Sequence, residues 1–228
     1  MKYIYNIFIE LFNHWKSEVY RLFVNKDYIK SLIVSSFLLV FSVIFSLYSS
    51  AQNDILFSST PVEDLFFSII PILDLSLVFV TLEILLIILA FLYGIFIVPK
   101  KLPFALLAFS IFIGIRAVCI SLTHIGVPVD YIYPSMGTGD FFFHNDLFFS
   151  GHTGGPFLVA LILWQRKFWR YFLISISILM AFTVLAMRVH YSIDIIGAYF
   201  ITYGIFKIAE NIVHKTGFFV YSRDTSHP

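Results

Sequence analysis

Charge is what this chain has least of. Asp, Glu, Lys and Arg make up 13% of its 228 residues, about half the ~25% share of a soluble domain. The formal net charge of +1 supplies no basic face, which argues against a nucleic-acid partner. Cysteine is nearly missing. Cys119 stands alone in an apolar run, so neither an internal disulfide nor a CxxC metal knuckle can form. No linker, internal repeat or low-complexity stretch divides the chain, and a second domain is not expected. What is present in excess is apolar surface: 59% hydrophobic and 19% aromatic residues, with a mean hydropathy of +0.89. Water would not tolerate that surface, so the bilayer is the expected solvent.

A spanning helix needs about 20 apolar residues. Six stretches qualify, near 31–47, 70–98, 103–122, 146–164, 169–187 and 190–208. The stretch 1–28 carries Glu10, Lys16, Glu18, Arg21 and Lys26 and lacks the clean apolar core of a secretory signal. Ile4, Phe8, Leu11, Phe12, Trp15, Val19, Leu22 and Phe23 recur there at three- and four-residue steps, the pattern of an amphipathic helix. Such a helix suits a membrane surface or the protein's own base equally. The expected architecture is all-α and polytopic: an N-terminal amphipathic cytoplasmic segment (1–28), a six-span catalytic membrane domain (29–210) and a cytoplasmic tail (211–228).

The basic residues set the expected orientation. Lys2, Lys16, Arg21, Lys26 and Lys30 precede the first span, Lys100 and Lys101 follow the second, Arg166, Lys167 and Arg170 precede the fifth, and Lys207, Lys215 and Arg223 close the chain. The alternate connections carry Asp54, Glu63, Asp64, Asp130, Asp140 and Asp146. Four basic clusters on one side fit the positive-inside rule with both termini cytoplasmic. The longest outer connection, 123–145, interleaves Pro128, Pro134, Gly137 and Gly139 with Tyr131, Tyr133 and Phe141 to Phe143. It reads as an aromatic belt at the bilayer interface or as a lid over a lipid access slot.

Ionisable residues inside a membrane are expensive and mark function by default. They concentrate at two places, Asp146 to Gly155 and Arg188 to Asp194. In this topology both lie at the outer face. His190 and Asp194 are four apart, hence on one helix face. The carboxylate can take the proton of one imidazole nitrogen and leave the other free as a nucleophile. Ser150, Gly151 and His152 supply a hydroxyl, unhindered backbone N–H groups and a second imidazole, a combination suited to a phosphoryl oxygen at a helix N-terminus. Arg188 and Arg116 can hold remaining phosphate charge. Asp146 can pair with a histidine or cap the fourth helix, and His124 lies by the outer mouth of the third span. Asp74 and Glu83, in the second span, offer partners for Arg116 or for polar groups of neighbouring spans. Gly154 and Gly155 are expected to permit close helix packing.

These motifs resemble those of the type 2 phosphatidic acid phosphatase superfamily, and more closely its sphingomyelin synthase-related branch. D-x-x-F-S-G-H-T stands at Asp146 to Thr153. H-Y-[ST]-x-D and a following A-Y-F-I-T stand at His190 to Asp194 and Ala198 to Thr202. An upstream pattern is matched by Arg116, Thr123, Val127 and Pro128, and another by Pro61, Asp64 and Phe66. The similarity covers roughly 61–202. The Lys-x6-Arg-Pro motif of the phosphatases is missing, and their Ser-Arg-x5-His motif would require Arg where Val184 stands. His144 and Asn145 occupy the place of the synthases' Cys-Gly.

The resemblance implies metal-independent phosphohistidine chemistry without a cofactor. His190, oriented by Asp194, would attack the phosphorus of a glycerophospholipid. His152 would protonate the departing diacylglycerol and then deprotonate an acceptor, ceramide or water. The expected partners are therefore membrane lipids: the donor, a ceramide-type acceptor and a diacylglycerol-type product. Rival readings are a lipid phosphate phosphatase or phospholipase C on the same site, a zinc site built from His152, His190 and Asp194, and a non-enzymatic lipid transporter.

Overall fold

The computed structural model describes residues 2–56, 60–132 and 147–217, leaving out the side chains of 2–8, 11, 14 and 54–56. All regular structure among the described residues is helical: α1 (Lys2–Val24), α2 (Lys26–Leu56), α3 (Ser76–Phe96), α4 (Leu102–Leu122), α5 (Gly151–Ile162), α6 (Lys167–Ala186) and α7 (Ser192–Thr216). Short 3₁₀ turns lie at Leu65–Ser68 and Pro99–Lys101. Among the described residues, five helical stretches are long and apolar enough to cross a membrane: Lys26–Asn53, Ser76–Phe96, Pro99–Leu122, Lys167–Ala186 and Ser192–Thr216. These features support a multi-pass membrane protein.

The fourth expected span, 146–164, departs from this pattern. Ser150 stops the helix from starting earlier, because its Oγ caps the Thr153 N–H at 3.3 Å. What remains is a 12-residue helix, about 18 Å long and short of a bilayer's ~30 Å core. The second span also starts later than expected. Pro71 and a run without helix precede Ser76, and Asp74 caps α3 through the Ser76 N–H and hydroxyl at 3.0 and 2.6 Å. Those bonds hold the Asp74 carboxyl below the usual carboxylate range, the side-chain bond first. Asp74 is thus a cap, while pairing with Arg116 was one expectation for it. At the other extreme α7 runs to Thr216, into the segment expected as tail, and ends on Gly217 at φ 56, the left-handed C-cap that glycine adopts freely. The tail beyond it, the loop segment 133–146 and Asp54's side chain lie outside the described residues.

Helices α2 and α4 run parallel. Tyr28 at the start of α2 donates to the Pro99 carbonyl at 2.8 Å, and Ser42 faces Gly114 further along. Ser31, Ser35, Ser42 and Ser49 are buried on one face of α2, while Ile33, Phe37, Phe41, Ile44 and Tyr48 stand exposed on the other. Small residues let helices approach, and the apolar stripe suits lipid. Helix α5 lies antiparallel to α4. Its last turn receives Lys101 Nζ on the Ile162 carbonyl at 3.0 Å, and its first turn receives Arg116 Nε on the Phe149 carbonyl at 2.8 Å. The bundle consequently has two unlike ends. Lys26, Lys30, Lys100, Lys101, Arg166 and Lys167 gather at one. The starts of α3, α5 and α7 gather at the other.

Helix α1 docks on the basic end. Glu18 bridges Lys100 at 2.7 Å, and the Trp15 ring meets Phe96 at 5.4 Å between centroids. Of the two places open to an amphipathic α1, these contacts occupy the protein's own base. Phe12, Tyr20 and Phe23 remain exposed, and the side chains of Ile4, Phe8 and Leu11 lie outside the description.

Candidate active site

The start of α7 is assembled around one carboxylate. Asp194 is the third residue of the helix, where an acidic side chain can reach back to the backbone before the first turn. Its Oδ2 accepts the Tyr191 N–H at 2.9 Å and lies 3.2 Å from His190 Nδ1. Both side chains are sealed off, at 1% and 0% exposure. The second carboxylate oxygen, Oδ1, is buried with no hydrogen bond among the described residues. A short bond from Ser192 N–H to Asp64 Oδ2, 2.6 Å, ties this turn to the segment before α3. Tyr191 adds two more ties: its hydroxyl donates to the Gly126 carbonyl at 2.8 Å and accepts the Val62 N–H at 3.1 Å. Burial pushes that phenol above its usual range, so it stays a neutral donor at physiological pH.

The start of α5 faces it. The Ser150 N–H donates to the Asp194 carbonyl at 3.2 Å, joining two helix N-termini. The His152 ring stands 5.8 Å from His190 and 4.5 Å from Phe79, centroid to centroid. Gly151 is what lets Arg116 come close: a Cβ there would lie 3.4 Å from Arg116 Nε. The N–H groups of Gly151 and His152 fall in the first turn, where helix geometry supplies no carbonyl, and two helix dipoles point their positive ends here.

The structure thus brings together His152, His190, Asp194, Ser150, Gly151 and Arg116. Arg188 is placed otherwise. Its residue has φ 58, and the guanidinium donates to the carbonyls of Phe67 and Ile70, both at 2.8 Å, and of Leu185 at 3.2 Å. It is 4% exposed and lies over the Phe67 ring at 4.2 Å. Three of its five N–H donors are thus engaged by backbone rather than facing the imidazoles. His124 sits half-buried just beyond α4, two residues from the Gly126 carbonyl that Tyr191 ties down. Asp146 lies outside the described residues. Phe79, which covers His152, carried no signal in the apolar sequence of α3. Asp64 was visible only within the Pro61–Phe66 pattern.

A cleft opens beside the site between α3, α4, α5 and α6, enclosing ≈ 630 Å³ of empty space, part of it open to the surroundings. Glu83 and Gly151 line it near the imidazoles, and Tyr93, Leu163 and Trp169 line it toward the basic end. Glu83 lies one turn below Phe79 on α3. The two adjacent glycines of α5 differ. A Cβ on Gly154 would come within 2.7 Å of Thr202 Oγ1 and 2.8 Å of the Phe112 ring, whereas one on Gly155 meets nothing within 4 Å. Close packing therefore explains Gly154, while Gly155 borders the cleft.

Among the described residues, no group of three or more His, Cys, Asp or Glu side chains is arranged to hold a metal ion. A family model described as PAP2 superfamily C-terminal matches residues 145–212, the stretch containing α5, α6 and most of α7. The match is a likeness over less than a third of the chain, and it takes in both His152 and the His190–Asp194 pair. Searches of curated proteins and of solved structures each returned no match.

Proposed function

We propose that the protein is a phospholipid headgroup phosphotransferase that works through a phosphohistidine, in the manner of sphingomyelin synthases. The observation that carries this reading is the pair of imidazoles at the starts of α5 and α7, 5.8 Å apart, one of them bonded to a buried carboxylate. That spacing is commensurate with an attack distance of about 3–3.5 Å plus a hydrogen bond of about 2.6–3.2 Å around one phosphorus atom.

In the first step His190 Nε2 attacks the phosphorus of a glycerophospholipid. The bond to the diacylglycerol oxygen breaks, and that oxygen takes a proton from His152. The Nδ1–H of His190 donates to Asp194, which stabilises the positive charge that develops on the ring. The nonbridging phosphoryl oxygens meet the first-turn N–H groups of α5 and the Arg116 guanidinium. In the second step an acceptor hydroxyl gives its proton to His152 and its oxygen bonds to phosphorus, breaking the P–N bond. A ceramide acceptor yields a phosphosphingolipid, and water yields the free phosphorylated headgroup. No metal or other cofactor enters either step. By the positive-inside rule, the basic end of the bundle faces the cytoplasm and the site faces the opposite side.

The test is to incubate purified protein with labelled phosphatidylcholine or phosphatidylethanolamine, with and without ceramide, and identify every product. Ceramide-dependent transfer of the intact headgroup is expected, and lost in His190→Ala. Release of inorganic phosphate from phosphatidic acid without any headgroup transfer would replace the transferase with a phosphatase. Full turnover by His190→Ala would remove the nucleophile.

A further inference from the structure

Building on the lipid chemistry above, we infer that the cleft between α3 and α5 holds the hydrocarbon chain of a lipid alcohol, with Glu83 accepting a hydrogen bond from its hydroxyl before that proton passes to His152, and Gly155 keeping the groove open. A lipid alcohol is the species common to both half-reactions, leaving in the first and accepting in the second.

Three observations converge. The first is dimension. From Glu83 to Tyr93 the α3 wall covers ten residues, about 15 Å at the helical rise, which is half of a ~30 Å hydrocarbon core. The groove therefore has the depth of one leaflet, starting at the reaction centre. Ile87, exposed on α3, forms part of its wall, so a chain can enter sideways from the bilayer.

The second is charge. Apart from Glu83 the lining is almost wholly apolar. Glu83 makes no hydrogen bond or salt bridge to a described residue and is half-buried in the cleft wall. Phosphate belongs with Arg116 and the α5 N-terminus, and a lone carboxyl at the mouth offers it no donor to match theirs. The carboxyl attracts a neutral group that donates a hydrogen bond, which is what the hydroxyl of a lipid alcohol does.

The third is the missing side chain. Glycine in a helix interior is destabilising by about 0.5–1 kcal/mol against alanine, and Gly155 has no neighbour within 4 Å that would forbid a Cβ. Packing does not account for it. One turn below His152, any larger side chain would project into the groove where a chain must leave the reaction centre.

The experiment reads occupancy rather than turnover, so it stands whether or not the phosphotransferase assignment survives. Full-length protein in nanodiscs is photolabelled with diacylglycerol and ceramide bearing a diazirine in one chain, each compared with its O-methyl ether. Label is mapped by peptide mass spectrometry. Both alcohols are expected to mark Leu86, Ala90 or Val159, and the ethers to do so more weakly. Gly155→Leu should cut this labelling about tenfold, the loss on excluding about two buried methylenes. Ile87→Trp narrows the same groove from an exposed position and keeps the test valid if Gly155→Leu fails to fold. Glu83→Leu should equalise alcohol and ether. Label from diacylglycerol alone assigns the groove to the leaving alcohol, and from ceramide alone to the acceptor; either supports the inference. Labelling confined to outward residues such as Phe91, or indifferent to Gly155→Leu and Ile87→Trp together, overturns it. Equal alcohol and ether labelling in the unmodified protein removes the Glu83 role.

Discussion

The two histidines stand at helix starts that differ in what flanks them. Around His190 the turn is held by chain segments far away in sequence: Asp64 on Ser192, Gly126 and Val62 on Tyr191, Phe67 and Ile70 on Arg188. Around His152 distant ties are present too, Asp194 on Ser150 and Arg116 on Phe149 beside the local Ser150–Thr153 cap, but one flank of the helix opens on the cleft through Gly155. Long-range ties hold an imidazole in a single orientation, as a nucleophile aligned on phosphorus requires. A partner that must serve first a departing alcohol and then an arriving one is better placed beside an opening. In the proposed mechanism this pairs the closed turn with the covalent step and the open flank with the proton-transfer step.

The most severe way to break the comparison is to remove each ring. His190→Ala and His152→Ala should both lose turnover, the second by about 10²–10⁴ if its role is general acid–base catalysis. Only His190→Ala should also abolish trapping of an acid-labile phosphoenzyme in a rapid quench. A trapped phosphoenzyme surviving in His190→Ala would exchange the two roles. Asp194→Asn should cost about 10⁴ in rate by analogy with other orienting carboxylates, and about 1 kcal/mol of stability through the weakened helix start. A thermal melt alongside the rate separates the two losses.

Neighbouring glycines give a smaller, sharper contrast. Gly154→Ala should destabilise by about 1–3 kcal/mol through overpacking against Thr202 and Phe112, while Gly155→Ala should hold or gain up to about 1 kcal/mol. Thermal denaturation in detergent reads both, and equal melting temperatures would contradict the difference in their surroundings. The smallest effect belongs to Tyr191→Phe. Losing the hydroxyl's bonds to Gly126 and Val62 should cost about 0.5–1.5 kcal/mol and slow turnover modestly, because it loosens the His190 turn without touching the ring.

Much of this site is legible in the sequence because its chemistry uses side chains. The pairing of His190 with Asp194 is legible from their spacing, though not as a shared helix face: His190 precedes the N-cap of α7, and Asp194 reaches back to it from the first turn; Ser150-Gly-His152 announces a capped helix start. What could not be read are the partners that carry no side-chain signature. Arg188 looks like a phosphate ligand among motifs rich in ionisable groups, yet its donors end on backbone carbonyls, which every residue has. Phe79 is one apolar residue in a helix full of them. Gly154 and Gly155 are identical letters with opposite surroundings. The spans were legible wherever hydropathy alone decides, as at 103–122, and misplaced where a cap intervenes, at Ser76 and at Ser150.

Lys101 bears on how the orientation of this protein can be measured. Its ammonium closes the truncated α5 on the Ile162 carbonyl, and its neighbour Lys100 is engaged with Glu18. Charge-inversion mapping that swaps this lysine pair would disturb a brace and a docked helix together, and any flipped insertion would have two causes. Reporter fusions, or substitutions at Lys167 at the start of α6, probe sidedness without pulling out that strut.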